Sequence, residues 1–392
     1  MRVAQVYPGF DIGGISLLMQ KTAELLSELG HECKIVTPEG ILNTGHVRPE
    51  KNDSRFQIYL FKHLVSLIRL IGPLKRLGLD VIHVHSYWMF PFTNLLLLFG
   101  HRFAGKVIWT PQLSPQFLGR GEAIARFNVV SRSFLRLYCY YVGPFLARRV
   151  DTIVACTASE AKVFRAWGAR RVVVIPTPVD EAFFEQMPTR TLGGPLRLLY
   201  VGRVSVVKGV DTLIRSVEYL AELHVPFLLH VVGPKHVDFP EDRLIDWPGM
   251  VEGENLRNKV VFVGPVYDRR ALRDFYLNSN ILVFPSKPVQ SEAFPSVILE
   301  ALATGLPIVS TSVGYVSEMI EQGRNGIIIP PDDPEAMAEA ILQLASDPER
   351  LQQISMYNLE QGKHLMPLSY TRRLLDVYKP ANGSSYEAEQ AH

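Results

Sequence analysis

Residues 281–305 read ILVFPSKPVQSEAFPSVILEALATG. Ile281-Leu282-Val283-Phe284 is a short apolar run of the kind found in a strand buried on both faces, and a loop from Pro285 to Gln290 follows it. Pro295 suits the first turn of a helix, where its missing N–H costs nothing, and Gly305 suits the end. The pattern predicts a helix from about Pro295 to Thr304, with free N–H groups aimed at the carboxyl edge of a sheet. That is an anion site. Glu292 stands just before this helix and Glu300 inside it. A carboxylate beside an anion site fits a ligand that carries hydroxyls as well as phosphate, because carboxylates accept hydroxyl hydrogen bonds well.

The same strand–loop–helix unit recurs. Leu196 to Val201 reads as a strand that runs into Gly202-Arg203-Val204-Ser205-Val206-Val207-Lys208-Gly209 and then a helix at Val210 to Leu220. Arg203 and Lys208 beside a helix start suit a diphosphate. Strands are also predicted at 227–232, 260–263 and 308–310. The front half shows its own set, at 2–6, 34–37, 81–84, 106–110, 152–155 and 172–175. Gly13-Gly14 follows the first of these and precedes an amphipathic helix from Ile15 to Leu29. Pro188 to Pro195 reads as a linker. The expected fold is α/β, two Rossmann-like doubly wound parallel-sheet domains facing a cleft. The first spans 1–187, rejoined by a helix at about 366–380, and the second spans 188–365.

Composition narrows the function. With 392 residues, 47% hydrophobic and 20% charged, the chain is long enough for large cores and is not a disordered polypeptide. Its three cysteines, Cys33, Cys139 and Cys156, form no CxxC pair, which argues against a disulfide framework or zinc site and for a reducing compartment. A formal charge of +2 demands no nucleic acid. The charge is unevenly spread, however. Residues 1–185 hold 22 Lys+Arg and 14 Asp+Glu, a balance of +8, and the remainder hold 19 and 25, a balance of −6. No signal peptide and no spanning apolar segment are read. A complete GxGxxG and a GxxxxGK[ST] are both missing, which disfavours a dinucleotide oxidoreductase.

Taken in order, these segments resemble the family 4 retaining glycosyltransferases, which have the GT-B fold. The resemblance is carried by Gly13-Gly14-Ile15 with Leu29-Gly30-His31-Glu32, by Asp80 to Ser86, and by Ile175-Pro176-Thr177-Pro178-Val179-Asp180. It continues through Gly202-Arg203 with Lys208-Gly209, Val232-Gly233, Phe262-Val263-Gly264 and Glu292-x7-Glu300. It implies retaining transfer of a hexose-type sugar from a nucleoside diphosphate sugar to a saccharide or lipid-linked acceptor, with no metal and no separate cofactor. It assigns the catalytic and charge-stabilising roles to Glu292, Arg203 and Lys208, and the ribose hydroxyls to Glu300. Ala293, Phe294, Pro295, Ser296 and Val297 would hold sugar or phosphate through main chain, Val263 and Gly264 would border the base, and Gly202 and Gly14 would approach the diphosphate. Gln112 and His85 would contact sugar or acceptor. Gln112 stands where the family pattern has His, Ala293 where Gly is common, and Pro178 in place of the Gly of an Asn-Gly turn. Gln hydrogen-bonds but does not titrate near neutrality.

The acceptor belongs to the basic first domain. Its segment Phe127 to Arg149 mixes aromatic residues with Arg132, Arg136, Arg148 and Arg149, a composition that suits an anionic membrane surface. The corresponding location is cytoplasmic, peripheral at the inner face of the membrane. Two further readings stay open at this level: a non-catalytic nucleotide-sugar-binding or scaffold relative, and a nucleotide-sugar epimerase of the same fold.

Overall fold

The computed structural model describes residues 1–7, 14–37, 40–43, 69–86, 91–111, 137–186, 194–235, 245–253, 255–288 and 294–379. Two sheets account for its strands. The first contains β1 (Arg2–Val6), β2 (Glu32–Thr37), β3 (Gly40–Asn43), β4 (Leu79–Ser86), β5 (Ala104–Pro111), β6 (Thr152–Ala155) and β7 (Val172–Val174) in the order β3-β2-β1-β4-β5-β6-β7. The second contains β8 (Leu196–Val201), β9 (Phe227–Val232), β10 (Val260–Gly264), β11 (Ile281–Phe284), β12 (Ile308–Thr311) and β13 (Gly326–Ile329) in the order β10-β9-β8-β11-β12-β13. All pairings are parallel except β2 with β3. The expected α/β fold with two doubly wound sheets is therefore present.

Two strands were not predicted. Gly40-Ile41-Leu42-Asn43 is too short to stand out, and it is a strand only because it folds back antiparallel along β2. Gly326-Ile327-Ile328-Ile329 is held by β12, where a Cβ on Gly326 would crowd the Ile308 carbonyl. Both sit at sheet edges, where pairing and not propensity decides.

Nine helices matter below: α1 (Gly14–Glu28), α2 (Pro91–Phe99), α3 (Gly143–Ala147), α4 (Ala158–Ala166), α5 (Val210–Glu222), α6 (Arg269–Leu277), α7 (Ser296–Ala303), α8 (Val316–Met319) and α9 (Pro367–Tyr378). Each sheet is covered on both faces, which is why its strands are almost continuously apolar. In the first unit, Ile82, Val84, Val107 and Trp109 pack on Leu96 of α2, Leu146 of α3 and Phe164 of α4. The alternate residues Val3, Val81 and Ile108 pack on Met19 and Leu26 of α1 and on Leu374 and Val377 of α9. In the second unit, Leu198, Leu229 and Val283 face Leu213 and Val217 of α5, whereas Leu199, Leu282 and Phe284 face Leu272 and Tyr276 of α6 and Ile298 of α7.

The chain crosses between the units twice. Val179 and Phe183 already belong to the core of the second unit. The Val179 N–H donates to the Leu365 carbonyl at 2.9 Å, so the outgoing and returning strands of the crossing are hydrogen-bonded together. After Leu365 the chain enters α9, which packs on the first sheet. The expected boundary at 187/188 falls in a stretch, 187–193, outside the described residues. A direct contact between the units is made by Glu318 of α8, whose carboxylate accepts from the Ser159 N–H at the start of α4 at 3.1 and 3.3 Å. A carboxylate at a helix N-terminus is favourably placed. Among the described residues no helix is long and apolar enough to cross a membrane.

Helix α9 is fastened by buried polar groups. Its Tyr378 hydroxyl meets His83 Nδ1 at 2.7 Å and accepts from Gln5 Nε2 at 2.8 Å. His83 Nε2 reaches Thr110 Oγ1 at 2.7 Å, and His85 Nε2 reaches Gln5 Oε1 at 2.6 Å. Because Gln5 Oε1 can only accept, His85 carries its proton on Nε2. Gln5, His83, His85 and Thr110 lie on one face because residues two apart in a strand share a face. Lys106 of β5 adds two bonds, to the Val377 and Lys379 carbonyls at 2.6 and 2.7 Å, and so neutralises the last turn of the helix.

Burial sets the chemistry of this cluster. It holds His83 well below the usual imidazole range, with neighbouring His85 adding to the effect, and pushes His85 down to about 3. Both rings are neutral in the folded state at pH 7. A histidine depressed on folding contributes stability that is complete above its unfolded value, near 6.5, and lost as pH falls from there toward the folded value. Glu160 acts in the opposite sense. Burial first, with Glu318 adding to it, raises its pKa to about 7, against the lowering effect of the Cys156 N–H, so its contribution is lost as pH rises through that value. Each buried histidine costs up to about 1.4 kcal/mol per pH unit below pH 6.5. His85→Gln, which keeps a donor toward Gln5, is expected to flatten the fall in Tm between pH 6.5 and 5 measured by differential scanning fluorimetry. An unchanged slope would mean that this cluster does not carry the acid sensitivity.

Candidate active site

In both sheets the strand order reverses beside the first strand of the unit, between β1 and β4 and between β8 and β11. Consecutive crossovers leave in opposite directions there, and the gap beyond the carboxyl ends of those strands is the natural ligand crevice. The second crevice collects most of the residues singled out from the sequence.

Gly202 ends β8. Its N–H donates to the Val232 carbonyl at 2.9 Å, and the Gly233 N–H donates to Gly264 at 2.9 Å. These glycines bring the carboxyl ends of β8, β9 and β10 together, and a Cβ on Gly233 would overlap the Gly202 carbonyl. Val263 and Gly264 form the end of β10. Arg203 follows Gly202, with its carbonyl accepting from the Tyr200 hydroxyl at 2.6 Å. Lys208 lies in the turn before α5, and Gly209 (φ 70°) is the left-handed residue that starts the helix. A side chain at Gly209 would strike the Pro285 carbonyl after β11. Lys287 N–H donates to the Val207 carbonyl at 3.0 Å, so the Arg203–Lys208 loop is stitched to the segment leading toward Glu292. Lys287 itself is taken by Asp211 and Asp332 at 2.8 and 2.7 Å.

Helix α7 begins one residue later than expected. Pro295 has φ −68° and ψ 112°, so its fixed φ suits a helix but its extended ψ places it at the N-cap, and Ser296 is the first helical residue. Pro295 makes no side-chain capping hydrogen bond. Ser296 is exposed, Phe294 and Val297 are half-buried, and the turn thus stays reachable. Glu292, Ala293 and Gln112 lie outside the described residues. Gly14 is the first residue of α1, beyond the carboxyl end of β1 in the other unit. His85 is buried in the cluster that holds α9; its Nδ1 lacks a partner among the described residues.

Glu300 is the best-defined of the group. It is 4% exposed, and both carboxylate oxygens are bonded. Arg269 Nη2 donates to Oε1 at 2.7 Å and the Tyr276 hydroxyl donates to Oε2 at 2.6 Å. Burial and the adjacent Glu300 keep the Tyr276 hydroxyl protonated, well above its usual range, so it serves as a donor. Arg269 and Tyr276 were not singled out in the sequence. They precede Glu300 by 31 and 24 residues, on α6, and only the packing of α6 on α7 unites the three. The adjacent pair Arg269-Arg270 was the available signal, but neighbouring arginines at a helix start usually mark a solvated face.

Among the described residues no group of three or more His, Cys, Asp or Glu could hold a metal ion. The three cysteines are free thiols, and burial pushes Cys33 and Cys156 up to about 12. They are not reactive nucleophiles. Arg203 and Lys208 follow β8, and the start of α7 follows the neighbouring strand β11.

Comparison with known proteins agrees with the fold. The family described as Glycosyltransferase Family 4 matches residues 12–183, and Glycosyl transferases group 1 matches residues 184–361. The glycogen synthase of Mycobacterium tuberculosis is 26% identical over 386 residues, 90% of this chain and 88% of that protein. The D-inositol 3-phosphate glycosyltransferase of Thermobispora bispora is 27% identical over 414 residues, covering 95% and 90%. Among solved structures, the sucrose-phosphate synthase of Thermosynechococcus elongatus superposes with TM-score 0.72 at 20% identity over 96% of this chain and 98% of that one. The Anabaena protein HepE, solved with UDP and glucose, superposes with TM-score 0.65 at 15% identity over 96% and 99%. The two family matches, adjoining at residues 183 and 184 and each centred on one of the two sheets, identify this chain as an enzyme of the family 4, group 1 glycosyltransferases with the GT-B fold.

Proposed function

We propose that the protein is a retaining hexosyltransferase that moves a sugar from a nucleoside diphosphate sugar to a saccharide or lipid-linked acceptor without a metal ion. The observation that carries this reading is the order of the elements: Arg203 and Lys208 follow β8, while the start of α7 and the acid Glu300 follow β11, its neighbour where the strand order reverses. Two cations and a helix N-terminus suit a diphosphate, and the acid suits the hydroxyls of its ribose. Glu292 would contact the donor sugar, and Gly14 would approach the diphosphate from the first unit.

The chemistry follows from those charges. As the bond between the anomeric carbon and the phosphate oxygen breaks, negative charge grows on the leaving diphosphate. Arg203, Lys208 and the α7 N–H groups stabilise it where it develops. The acceptor oxygen attacks from the face the diphosphate leaves, and its proton passes to a phosphate oxygen of the leaving group. Gln112 would hold a sugar hydroxyl by hydrogen bonding, without titrating. His85 offers only its buried Nδ1 to such a contact.

One surface favours a membrane-bound acceptor. Between residues 137 and 145, Leu137, Tyr140, Tyr141 and Phe145 are exposed, the two tyrosines at 73% and 70%. Their spacing of three, four and eight residues makes one stripe in this helical stretch. Arg149 stacks on Phe145 at 4.4 Å, and Arg102 on the exposed Phe99 at 5.2 Å. Aromatic side chains flanked by arginines match an anionic lipid surface. We place the enzyme at the cytoplasmic face of a membrane, on the donor side of the reaction.

Four outcomes test the reading. One class among UDP, GDP and ADP should raise the Tm of the protein in EDTA, since a ligand that binds only the folded state stabilises it; no shift with any of them would remove the donor site. Lys208→Ala should lower kcat/KM for the nucleotide sugar by on the order of 10²–10³-fold with little change in Tm, and the anomeric configuration of the product, read by NMR, should match that of the donor. Flotation with anionic vesicles should carry the protein, whereas a Tyr140→Ser/Tyr141→Ser variant should stay behind; equal behaviour of the two would discard this surface as the lipid contact.

A further inference from the structure

We propose that Arg269 is a positioning residue that holds the Glu300 carboxylate ready to accept both hydroxyls of a ribose cis-diol, and so makes the site selective for ribonucleoside diphosphates. The inference rests on the donor-site reading above.

Glu300 is a buried acid on a helix whose Ile298 and Leu299, with Leu272 and Tyr276 of α6, belong to the apolar core of the second unit. A buried carboxylate is costly unless it is paired and hydrogen-bonded. Arg269 supplies the counter-charge at Oε1, and Tyr276 supplies a neutral donor at Oε2. A carboxylate has about four acceptor positions, two on each oxygen. The two protein donors take one position on each oxygen, which leaves one on each among the described residues. Two adjacent acceptors match the two O–H donors of a cis-diol.

The guanidinium is itself held from three sides. Its Nη2 bonds Glu300, its Nε lies 3.8 Å from Asp180 Oδ2, and its carbon sits 4.9 Å over the Phe183 ring. Asp180 and Phe183 belong to the segment by which the chain first enters the second unit, and that segment is further fixed to α6 by Arg273, which bonds the Ala182 carbonyl and Glu185. Arg269 therefore cannot swing away from Glu300 without giving up its contacts with the crossing. The acid is oriented by a residue that is itself oriented by the connection between domains.

The test compares the diphosphate that stabilises the wild-type protein most, among UDP, GDP and ADP, with its 2′-deoxy and 3′-deoxy counterparts, by calorimetric titration. In the wild type each deoxy form is expected to bind at least about tenfold more weakly, the cost of one hydrogen bond to a charged acceptor. In Arg269→Gln the ribose form should weaken and the ribo-to-deoxy ratio should collapse toward one, while Arg269→Lys, which restores a charge but not the fork, should recover part of it. A purely structural role would lower Tm and leave the ratio intact in the folded fraction; that result, or tighter ribonucleotide binding by Arg269→Gln, overturns the proposal. Binding of none of the diphosphates by the wild type would instead overturn the donor-site reading, and this inference with it. Wild-type binding without discrimination overturns this inference alone.

Discussion

Parallel strands can be joined only by crossovers, and each crossover here has to place a helix on one face of a sheet. When successive crossovers leave the starting strand in opposite directions, no helix covers the gap between them. That constraint creates the crevices at β1/β4 and β8/β11, and among the described residues Gly202, Arg203, Lys208 and the start of α7 follow the two strands that border the second of them. Gly202, Gly209 and Gly233 are the consequences at atomic scale. The carboxyl ends of the strands and the loops that follow approach so closely that a Cβ at Gly209 or Gly233 would overlap a neighbouring carbonyl.

The two units are tied together by polar contacts, whereas each is held internally by apolar packing. The crossing chains are hydrogen-bonded at Val179 and Leu365, Glu318 sits at the start of α4, and Lys21 of α1 pairs with Glu181 at 2.9 Å. Exposed ion pairs and single hydrogen bonds are individually weak. Contacts of this strength can exchange when two units move against each other, and a closure that excludes water would draw on that property. By contrast α9, which must stay with the first unit throughout, is fixed by Tyr378, His83, Gln5 and Lys106 in a buried network. Polar groups inside a low-dielectric core are costly to leave unpaired, so that attachment is stringent about geometry.

The strand runs, the glycines at their carboxyl ends and the Arg203–Lys208 loop were legible in the sequence because each is a local pattern read over fewer than a dozen residues. The edge strands β3 and β13 were not, because four-residue runs acquire strand character from their partners. The start of α7 was misread by one residue because proline fixes φ and leaves ψ to its surroundings. His85 was read as a sugar or acceptor contact and not as part of a buried cluster with His83. Their bonds to Gln5, Thr110 and Tyr378 span up to 295 positions and leave no local mark.

By itself the sequence determined the fold class, the repetition of the doubly wound unit and the family, since these depend on periodicity and on motifs whose order along the chain is the information. The tertiary structure alone decided the surroundings of Glu300. Arg269 and Tyr276 come from another helix, Asp180 and Phe183 from the domain crossing, and only the packing of α6 between α7 and that crossing turns these four residues into a clamp on one carboxylate. The physical reason is that a motif is written in neighbouring residues, whereas the partner that makes a buried charge tolerable is chosen by proximity in space.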